Sequence, residues 1–365
     1  MKKYTLQIPR LTVGLDVGDK YCHYAVVDRS GTLVAKSRVR TGENSLSHLF
    51  NDLSKRVKRL RVILEVGPHS PWISRLIEDM GHETIVANPR QLKLISQNDS
   101  KNDGTDAEYL ARLGRVDVSL LRPVKHRSLK SQTDLALLRS RDVLVSSRTK
   151  MINHVRGMTK SFGVQLDKCS AESFHRQAPD QLPERLRGLL MPILEMVENL
   201  SRQIRQYDRE VESKAKREYP ETERLRQIRG VGPITALAYV LVIEDPGRFM
   251  NSRQPGAYLG LRPKRDQSGS RDPELRITKA GDRMLRRLLV GSAQYILGPF
   301  GEDSDLRRWG LKLAARGGKN AKKKAVVAVA RKLSSLLYSL WVTAADYEPL
   351  RNSRYIEEHQ LAAAS

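Results

Sequence analysis

The sequence has little cysteine and few aromatic residues. Its two cysteines, Cys22 and Cys169, are too few for a disulfide framework and lie in no zinc-binding spacing. This usage is typical of proteins of a reducing cytoplasm. Aromatic residues make up 5% of the chain, so stacking on bases is not expected to dominate any binding of nucleic acid.

Long apolar runs and nucleotide-binding loops are also missing from the sequence. No run of about 18 apolar residues occurs, and the first nine residues lack the apolar core of a secretory signal. We therefore expect no membrane-spanning helix and a cytoplasmic protein. The absence of a Walker-type glycine-rich loop argues against an ATP site.

What the sequence does have is positive charge. The sequence contains 65 Lys and Arg residues and 41 Asp and Glu residues, which gives a formal net charge of +24. The excess is largest between residues 226 and 345. A polyanion such as nucleic acid is the partner that this charge favours, and the alternative is a merely basic protein.

Hydrophobic patterning divides the chain into an α/β part, two helical parts and a tail. Residues 1–125 predict an α/β domain, residues 126–220 a coiled-coil or helical linker, residues 221–345 a mostly helical domain, and residues 346–365 a flexible tail. In the first part, strands are predicted at 11–18, 23–28, 32–40, 62–66 and 83–87, and helices at 43–58, 70–80 and 105–113.

The middle part carries heptad spacing on two arms. Leu137, Leu144, Met151 and Met158 recur every seven residues, and a second a/d stripe follows residues 193–211. Residues 163–192 contain several prolines and are predicted to connect the arms. The pattern fits a coiled coil that dimerises the protein, and it equally fits a helical hairpin within one chain.

Four acidic residues of the first part stand where carboxylates are costly or closely spaced. Asp16 and Glu65 interrupt apolar strands, and Asp103 and Asp106 begin a predicted helix. Each alone fits a strand-end or N-cap carboxylate. Together, an acid on the first strand, one on the fourth and a pair on a following helix form an RNase H-like arrangement. Convergent carboxylates are ligands for Mg²⁺.

Two glycine- or lysine-rich turns in the third part are candidate phosphate contacts. Gly230 and Gly232 precede Pro233 in a turn of helix-hairpin-helix type, although an ordinary tight turn between helices has the same pattern. The basic loop 316–324 leads into a predicted helix, where Lys319, Lys322, Lys323 and Lys324 are either phosphate contacts or a solvated charge run.

Ser268 lies in a turn crowded with basic residues. A serine hydroxyl needs a base or strong charge stabilisation to act as a nucleophile, and an ordinary turn residue is the simpler interpretation. Ser270 and Ser292 are weaker candidates. The surrounding cations predicted to bind phosphate are Arg262, Lys264, Arg265, Arg271, Arg276 and Lys279.

These segments together resemble the transposases of insertion-sequence family 110, including its 1111 subgroup, whose members are recombinases guided by a bridge (seeker) RNA. The resemblance runs from about residue 11 to residue 300. Its motifs, in order, are Gly14-Leu-Asp-Val-Gly18, Leu64-Glu-Val-Gly67, Lys101-Asn-Asp-Gly-Thr-Asp-Ala107, Ile228-Arg-Gly-Val-Gly-Pro233, Tyr258-Leu-Gly-Leu261, Gln267-Ser-Gly269, Ile277-Thr-Lys-Ala-Gly281 and Leu285-Arg-Arg-Leu288.

The resemblance implies a fold, a chemistry and a set of partners. It implies a RuvC-like N-terminal domain, a coiled-coil middle and a helical transposase domain. It implies that Asp16, Glu65, Asp103 and Asp106 form a DEDD set around Mg²⁺, and that Ser268 forms a covalent link to DNA. The implied partners are a guide RNA, donor and target DNA, and further copies of the chain in a dimer of dimers.

Two other functions fit the same residues. A metal-dependent nuclease of the junction-resolving type would use the four acids and leave Ser268 as a turn residue. A nucleic-acid-binding scaffold without enzymatic activity would use the positive charge alone.

Overall fold

The computed structural model describes residues 10–89, 103–268, 273 and 275–353. The chain forms two compact units, residues 1–128 and 129–365, and each is described by itself. The first unit is α/β, and the described part of the second is mostly helical. The predicted class of an α/β part followed by an α part is therefore confirmed.

A five-stranded sheet forms the centre of the first unit. The strands are β1 (Leu11–Val17), β2 (Tyr21–Asp28), β3 (Leu33–Arg40), β4 (Arg61–Glu65) and β5 (Glu83–Ala87), in the order β3-β2-β1-β4-β5. The pairs β1–β2 and β2–β3 are antiparallel, whereas β1–β4 and β4–β5 are parallel. The five strands lie where the sequence predicts them, within three residues at their ends.

Helices cover both faces of this sheet. On one face, Val13 and Leu64 pack with Phe50 of α1 (Glu43–Ser54) and Ile73 of α2 (Ser70–Asp79). On the other face, β4 and β5 pack against α3 (Asp103–Val116). Because the central strands are buried on both sides, they are apolar nearly throughout, as the sequence indicates.

Helix α3 lies unusually close to the sheet because glycines remove the side chains between them. A Cβ built on Gly14 of β1 would lie 1.9 Å from the carbonyl oxygen of Ala107, and one on Gly114 would lie 2.3 Å from Ile63 Cγ1. Real Cβ atoms do not approach other atoms so closely. These two positions therefore require glycine for α3 to rest on β1 and β4.

The second unit is built from helices. Its described helices are α4 (Leu129–Ser161), α5 (Phe174–Gln177), α6 (Glu184–Glu218), α7 (Glu221–Leu225), α8 (Pro233–Ile243), α9 (Gln254–Tyr258), α10 (Arg283–Leu297), α11 (Asp305–Ala314) and α12 (Ala321–Thr343). Helix α8 is the most buried of them: Thr235 and every residue after it are buried.

The long helices α4 and α6 pack against each other within the chain. Val155 of α4 and Val197 of α6 belong to one buried apolar cluster, and Arg148 donates a hydrogen bond to the Ser201 hydroxyl (3.1 Å). Of the two arrangements that the heptad pattern allows, the chain itself forms the hairpin.

Two predicted boundaries are wrong. Residues 184–192, predicted as connector, belong to α6, and Pro192 lies inside that helix because burial of Leu190 and Leu194 outweighs the loss of one backbone hydrogen bond. The apolar pattern of the third part also predicts a helix at residues 274–296, but this helix begins at Arg283, where the Asp282 side chain caps it by accepting from the backbone N–H of Leu285 (2.9 Å).

Helix α12 and the segment after it are packed into the second unit. Among the described helices, α12 is long and apolar enough to cross a membrane by length and composition, but its Val329, Leu333 and Leu337 lie in the buried core. Beyond it, the Tyr347 backbone N–H donates to the Gln227 side chain (2.6 Å). The start of the predicted flexible tail is thus attached, and residues 354–365 lie outside the described part.

A buried carboxylate ties the base of the hairpin together. Asp134 of α4 is 5% exposed and accepts hydrogen bonds from the Tyr219 hydroxyl (2.5 Å) and Lys130 (3.1 Å), with Lys214 at 3.0 Å. Burial opposes the charged form of Asp134, but these three donors outweigh it and lower its pKa.

Replacing Gly14 by Ala should destabilise the first unit. The new methyl group must displace the α3 backbone, which we expect to cost roughly 3 kcal/mol of the free energy of unfolding. Chemical denaturation checks this, with Gly67→Ala as control, since a Cβ on Gly67 meets nothing within 4 Å. Equal stability of the two variants would contradict the close packing of α3.

Replacing Asp134 by Asn should change the pH dependence of stability. Because the folded pKa is lowered, the stabilisation is present above the ordinary aspartate value of 3.8 and disappears as the pH falls through the folded value. We expect Asp134→Asn to cost roughly 2 kcal/mol at pH 7 and to flatten the acid limb of the unfolding curve. The exposed Asp180→Asn is the control, and an unchanged acid limb in Asp134→Asn would contradict the assignment.

Candidate active site

The first two predicted acids lie side by side at one edge of the sheet. Strand β1 pairs with β4 in parallel, and the last paired residues are Leu15 and Leu64. The next residues, Asp16 and Glu65, therefore lie next to each other where the pairing ends. Both belong to the face on which α3 packs, since their neighbours Leu15 and Leu64 lie in the core on the opposite face.

Helix α3 brings a third acid to the same place. Glu65 is half-buried, and its pKa is raised above the ordinary value, first by burial, then by the negative charge of Asp16 and then by that of Asp106. The three carboxylates therefore influence one another electrostatically. Of the four predicted acids, Asp16, Glu65 and Asp106 thus lie near enough to one another to interact electrostatically.

The fourth acid, Asp103, begins α3, but its side chain lies outside the described part. Among the described side chains, no three His, Cys, Asp or Glu residues are placed to hold a metal ion as they stand. The donor chemistry nevertheless fits a hard divalent cation, since carboxylate oxygens are its usual ligands. A cation would also relieve the repulsion that raises the pKa of Glu65.

Polar contacts fix the loop that follows Glu65. The indole N–H of Trp72 donates to His69 Nδ1 (3.2 Å), and His69 Nε2 lies 3.1 Å from the Asp19 carboxylate. Ser70 is fully buried, and its hydroxyl donates to the Gly67 carbonyl (2.8 Å). These contacts give His69 a structural role, and the loop holds the end of β4 in place.

Strand pairing adds a residue that sequence reasoning missed. His23 of β2 lies directly opposite Asp16 and thus on the same face of the sheet. The spacing of residues within a single strand does not show that His23 lies beside Asp16. The β1–β2 turn, together with the alternation of β2, is the signal from which it could have been found.

Ser268 belongs to the second unit, where it is exposed on a ribbon formed by the paired segments 262–268 and 275–278. The ribbon begins where the Lys264 N–H donates to the Arg276 carbonyl (2.9 Å) and the Thr278 N–H to the Arg262 carbonyl (3.0 Å). The rival Ser292 is buried in α10, whereas Ser270 lies outside the described residues.

Arg286 of α10 holds the base of this ribbon. Its guanidinium donates to the carbonyl oxygens of Leu259 (3.0 Å) and Ala280 (2.7 Å), one on each side of the ribbon. Gly260 lies so close to Ala280 that a Cβ would be 2.2 Å from the Ala280 backbone nitrogen. Spacing along the chain does not distinguish Arg286 from the other cations, because this role depends on two carbonyls brought together by folding.

The predicted phosphate contacts are accessible in the described part of the second unit. Gly230 has a positive φ of 94° and Gly232 precedes α8, so the turn has the geometry that glycine permits. Arg271 lies outside the described residues. The exposed cations are Arg262, Lys264, Arg265, Arg276, Lys279, Lys319, Lys322, Lys323 and Lys324.

Replacing Glu65 by Gln should stabilise the first unit in the absence of divalent ions. The raised pKa means that ionised Glu65 disfavours folding as the pH rises above its ordinary value of 4.5. We expect the melting midpoint at pH 7 to rise by on the order of 4 °C and any stabilisation by added Mg²⁺ to shrink. Glu43→Gln, at an exposed position of α1, is the control. A lower midpoint with full Mg²⁺ stabilisation would contradict the cluster.

Comparison with known proteins places both units in one family. Residues 13–162 match a family model of IS110-type DEDD transposases, and residues 222–301 match the model described as the transposase IS116/IS110/IS902 family.

Curated relatives cover most of the chain. It is 28% identical over 337 residues, 90% of its length and 88% of the relative's, to the transposase for insertion sequence element IS1111A of Coxiella burnetii. It is 26% identical over 345 residues to a probable family 20 transposase of Pseudomonas aeruginosa, covering 92% and 98% of the two chains. It is 30% identical over 292 residues to a putative transposase of Sinorhizobium fredii, covering 78% and 74%. The chain therefore belongs to the IS110 family of insertion-sequence transposases, and it is an enzyme that acts on DNA.

Proposed function

We propose that this transposase exchanges DNA strands through a covalent serine–phosphodiester intermediate, assisted by Mg²⁺ at the DEDD acids. The observation that carries the proposal is that Asp16 and Glu65 lie side by side where the β1–β4 pairing ends, with Asp106 near enough to help raise the pKa of Glu65. The exposed position of Ser268 among unburied cations supports the second half of it.

Ser268 is the proposed nucleophile. Its Oγ forms a new bond to phosphorus while the bond from phosphorus to a sugar oxygen breaks, and the proton lost by the serine ends on the departing sugar oxygen. The ester keeps the bond energy for the exchange, so no nucleotide cofactor is required. Neighbouring cations such as Arg262 and Arg276 stabilise charge on the phosphoryl oxygens.

The acids serve the other half of the chemistry. Asp16, Glu65, Asp103 and Asp106 are the residues that would hold the divalent ion, and the bound ion supplies charge stabilisation to a phosphodiester. Helix α3 sets the position of Asp106, and the braced loop after β4 sets that of Glu65.

Target choice is proposed to reside in a guide RNA. Its loops pair with donor and target DNA, while protein cations contact the sugar–phosphate backbone. The low aromatic content and the charge of +24 agree with binding dominated by phosphate. The active assembly is proposed to be a dimer of dimers that works on the nucleoid in the bacterial cytoplasm.

A junction-resolving nuclease is the second candidate function. The same convergence of Asp16, Glu65 and Asp106 favours it, because it needs the acids alone. The two functions differ in their products: the nuclease leaves free ends, whereas the proposed recombinase leaves protein attached to DNA.

A covalent adduct should form with wild-type protein and should be absent in Ser268→Ala. Purified protein with its co-purified RNA, Mg²⁺ and end-labelled DNA of the element's junction is resolved on a denaturing gel. Because the serine Oγ is the proposed attacking atom, its removal should abolish the adduct entirely. Ser270→Ala is the matched control and should retain it.

Two results would contradict the serine mechanism. Clean cleavage without an adduct, lost in Asp16→Ala and kept in Ser268→Ala, would establish the nuclease. Loss of the adduct in Ser270→Ala with retention in Ser268→Ala would identify Ser270 as the nucleophile.

A further inference from the structure

The edge strand β3 carries alternating cations on one face. Lys36, Arg38 and Arg40 occupy every second position of β3, so their side chains leave the same side of the sheet. Ala35 and Val39, at the alternate positions, pack into the apolar core on the other side. Lys36 donates to Glu108 of α3 (3.2 Å), which shows that the cations lie on the α3 face.

This face is the one that carries the acids. His23 lies opposite Asp16 on one side and opposite Arg38 on the other. Glu65, Asp16, His23 and Arg38 therefore form a row across four neighbouring strands. With adjacent strands about 4.8 Å apart, the backbone of Arg38 lies roughly 10 Å from that of Asp16.

Arg38 and Arg40 are available to a ligand. Both are exposed, and neither forms an ion pair with a carboxylate in the described part of the chain. The guanidinium carbon of Arg38 lies 4.7 Å from the centre of the Tyr21 ring, which limits its orientations without neutralising its charge. Lys36 differs from them, since Glu108 engages it.

We propose that Arg38 and Arg40 bind the sugar–phosphate backbone of a DNA strand and align that strand with the acids at Asp16 and Glu65. The inference rests on the proposed DNA chemistry of these acids and adds a binding site to it. The ligand is a phosphodiester, because two exposed, unpaired guanidinium groups favour oxyanions and phosphates in particular.

Electrostatics explains why such a site is needed. A carboxylate cluster repels a phosphodiester, so the strand requires attraction close to the acids but outside them. Along the helix axis of a duplex, roughly 10 Å corresponds to about three nucleotide steps of 3.4 Å each. A duplex whose axis runs across β2 can therefore contact Arg38 and Arg40 while a phosphate about three steps away on the same strand reaches Asp16.

The test compares two double variants with equal loss of charge. R38Q/R40Q removes the proposed site, and R56Q/R59Q removes two exposed arginines just before β4, at the end of that strand away from Glu65. Full-length proteins with matching melting curves are titrated with a labelled duplex carrying one end of the element, over a series of salt concentrations. An RNA of the same sequence is the second probe.

The expected result is a specific loss of DNA binding. R38Q/R40Q should weaken duplex binding on the order of tenfold and lower the slope of log K against log salt by about two, since each phosphate contact contributes about 0.9. R56Q/R59Q should match wild type, and R38K/R40K should recover the slope. A slope unchanged in R38Q/R40Q, equal losses in both glutamine variants, or a loss with RNA alone would each overturn the proposal.

A second readout tests alignment. At duplex concentrations that saturate both proteins, R38Q/R40Q should still give several-fold less strand-exchange product than wild type, because bound DNA is misplaced at the acids. Full recovery at saturation would overturn the aligning role. If wild type itself gives no product, the proposed chemistry fails, while the salt slopes still decide whether Arg38 and Arg40 bind DNA.

Discussion

The close approach of α3 to the sheet at Gly14 is the contact on which the candidate site depends. Without a side chain at Gly14, the backbone of Ala107 rests directly on β1, and the neighbouring Asp106 comes near Asp16 and Glu65. A methyl group at Gly14 would lift the helix and separate the acids. One glycine thus links packing in the core to the electrostatics of the site.

The site combines opposing charges within one face of one sheet. Burial, and then the charges of Asp16 and Asp106, oppose ionisation of Glu65 and raise its pKa, which favours either a proton or a cation there. Across β2, Arg38 and Arg40 supply positive charge without forming ion pairs to these acids. A surface of this kind attracts a phosphodiester strand and a divalent ion together, as expected of an enzyme that acts on DNA.

In the second unit, side chains that bind backbone carbonyls or a buried acid set the geometry. Arg286 joins both sides of the Ser268 ribbon at Leu259 and Ala280, and Asp134 gathers three donors where α4 meets the end of α6. These groups fix the base of the ribbon and the base of the hairpin. Ser268 and its neighbouring cations remain exposed on the ribbon, whose base Arg286 fixes.

The sequence by itself determined the strands, their faces and the unusual acids, because period-two apolar patterning and the cost of burying Asp16 or Glu65 are local properties. It also determined the excess of positive charge. Tertiary structure alone decided that the heptads form a hairpin, that Pro192 continues a helix and that Arg286 clamps the ribbon. It likewise placed His23 and Arg38 beside Asp16, because register between strands brings together residues that no spacing along the chain connects.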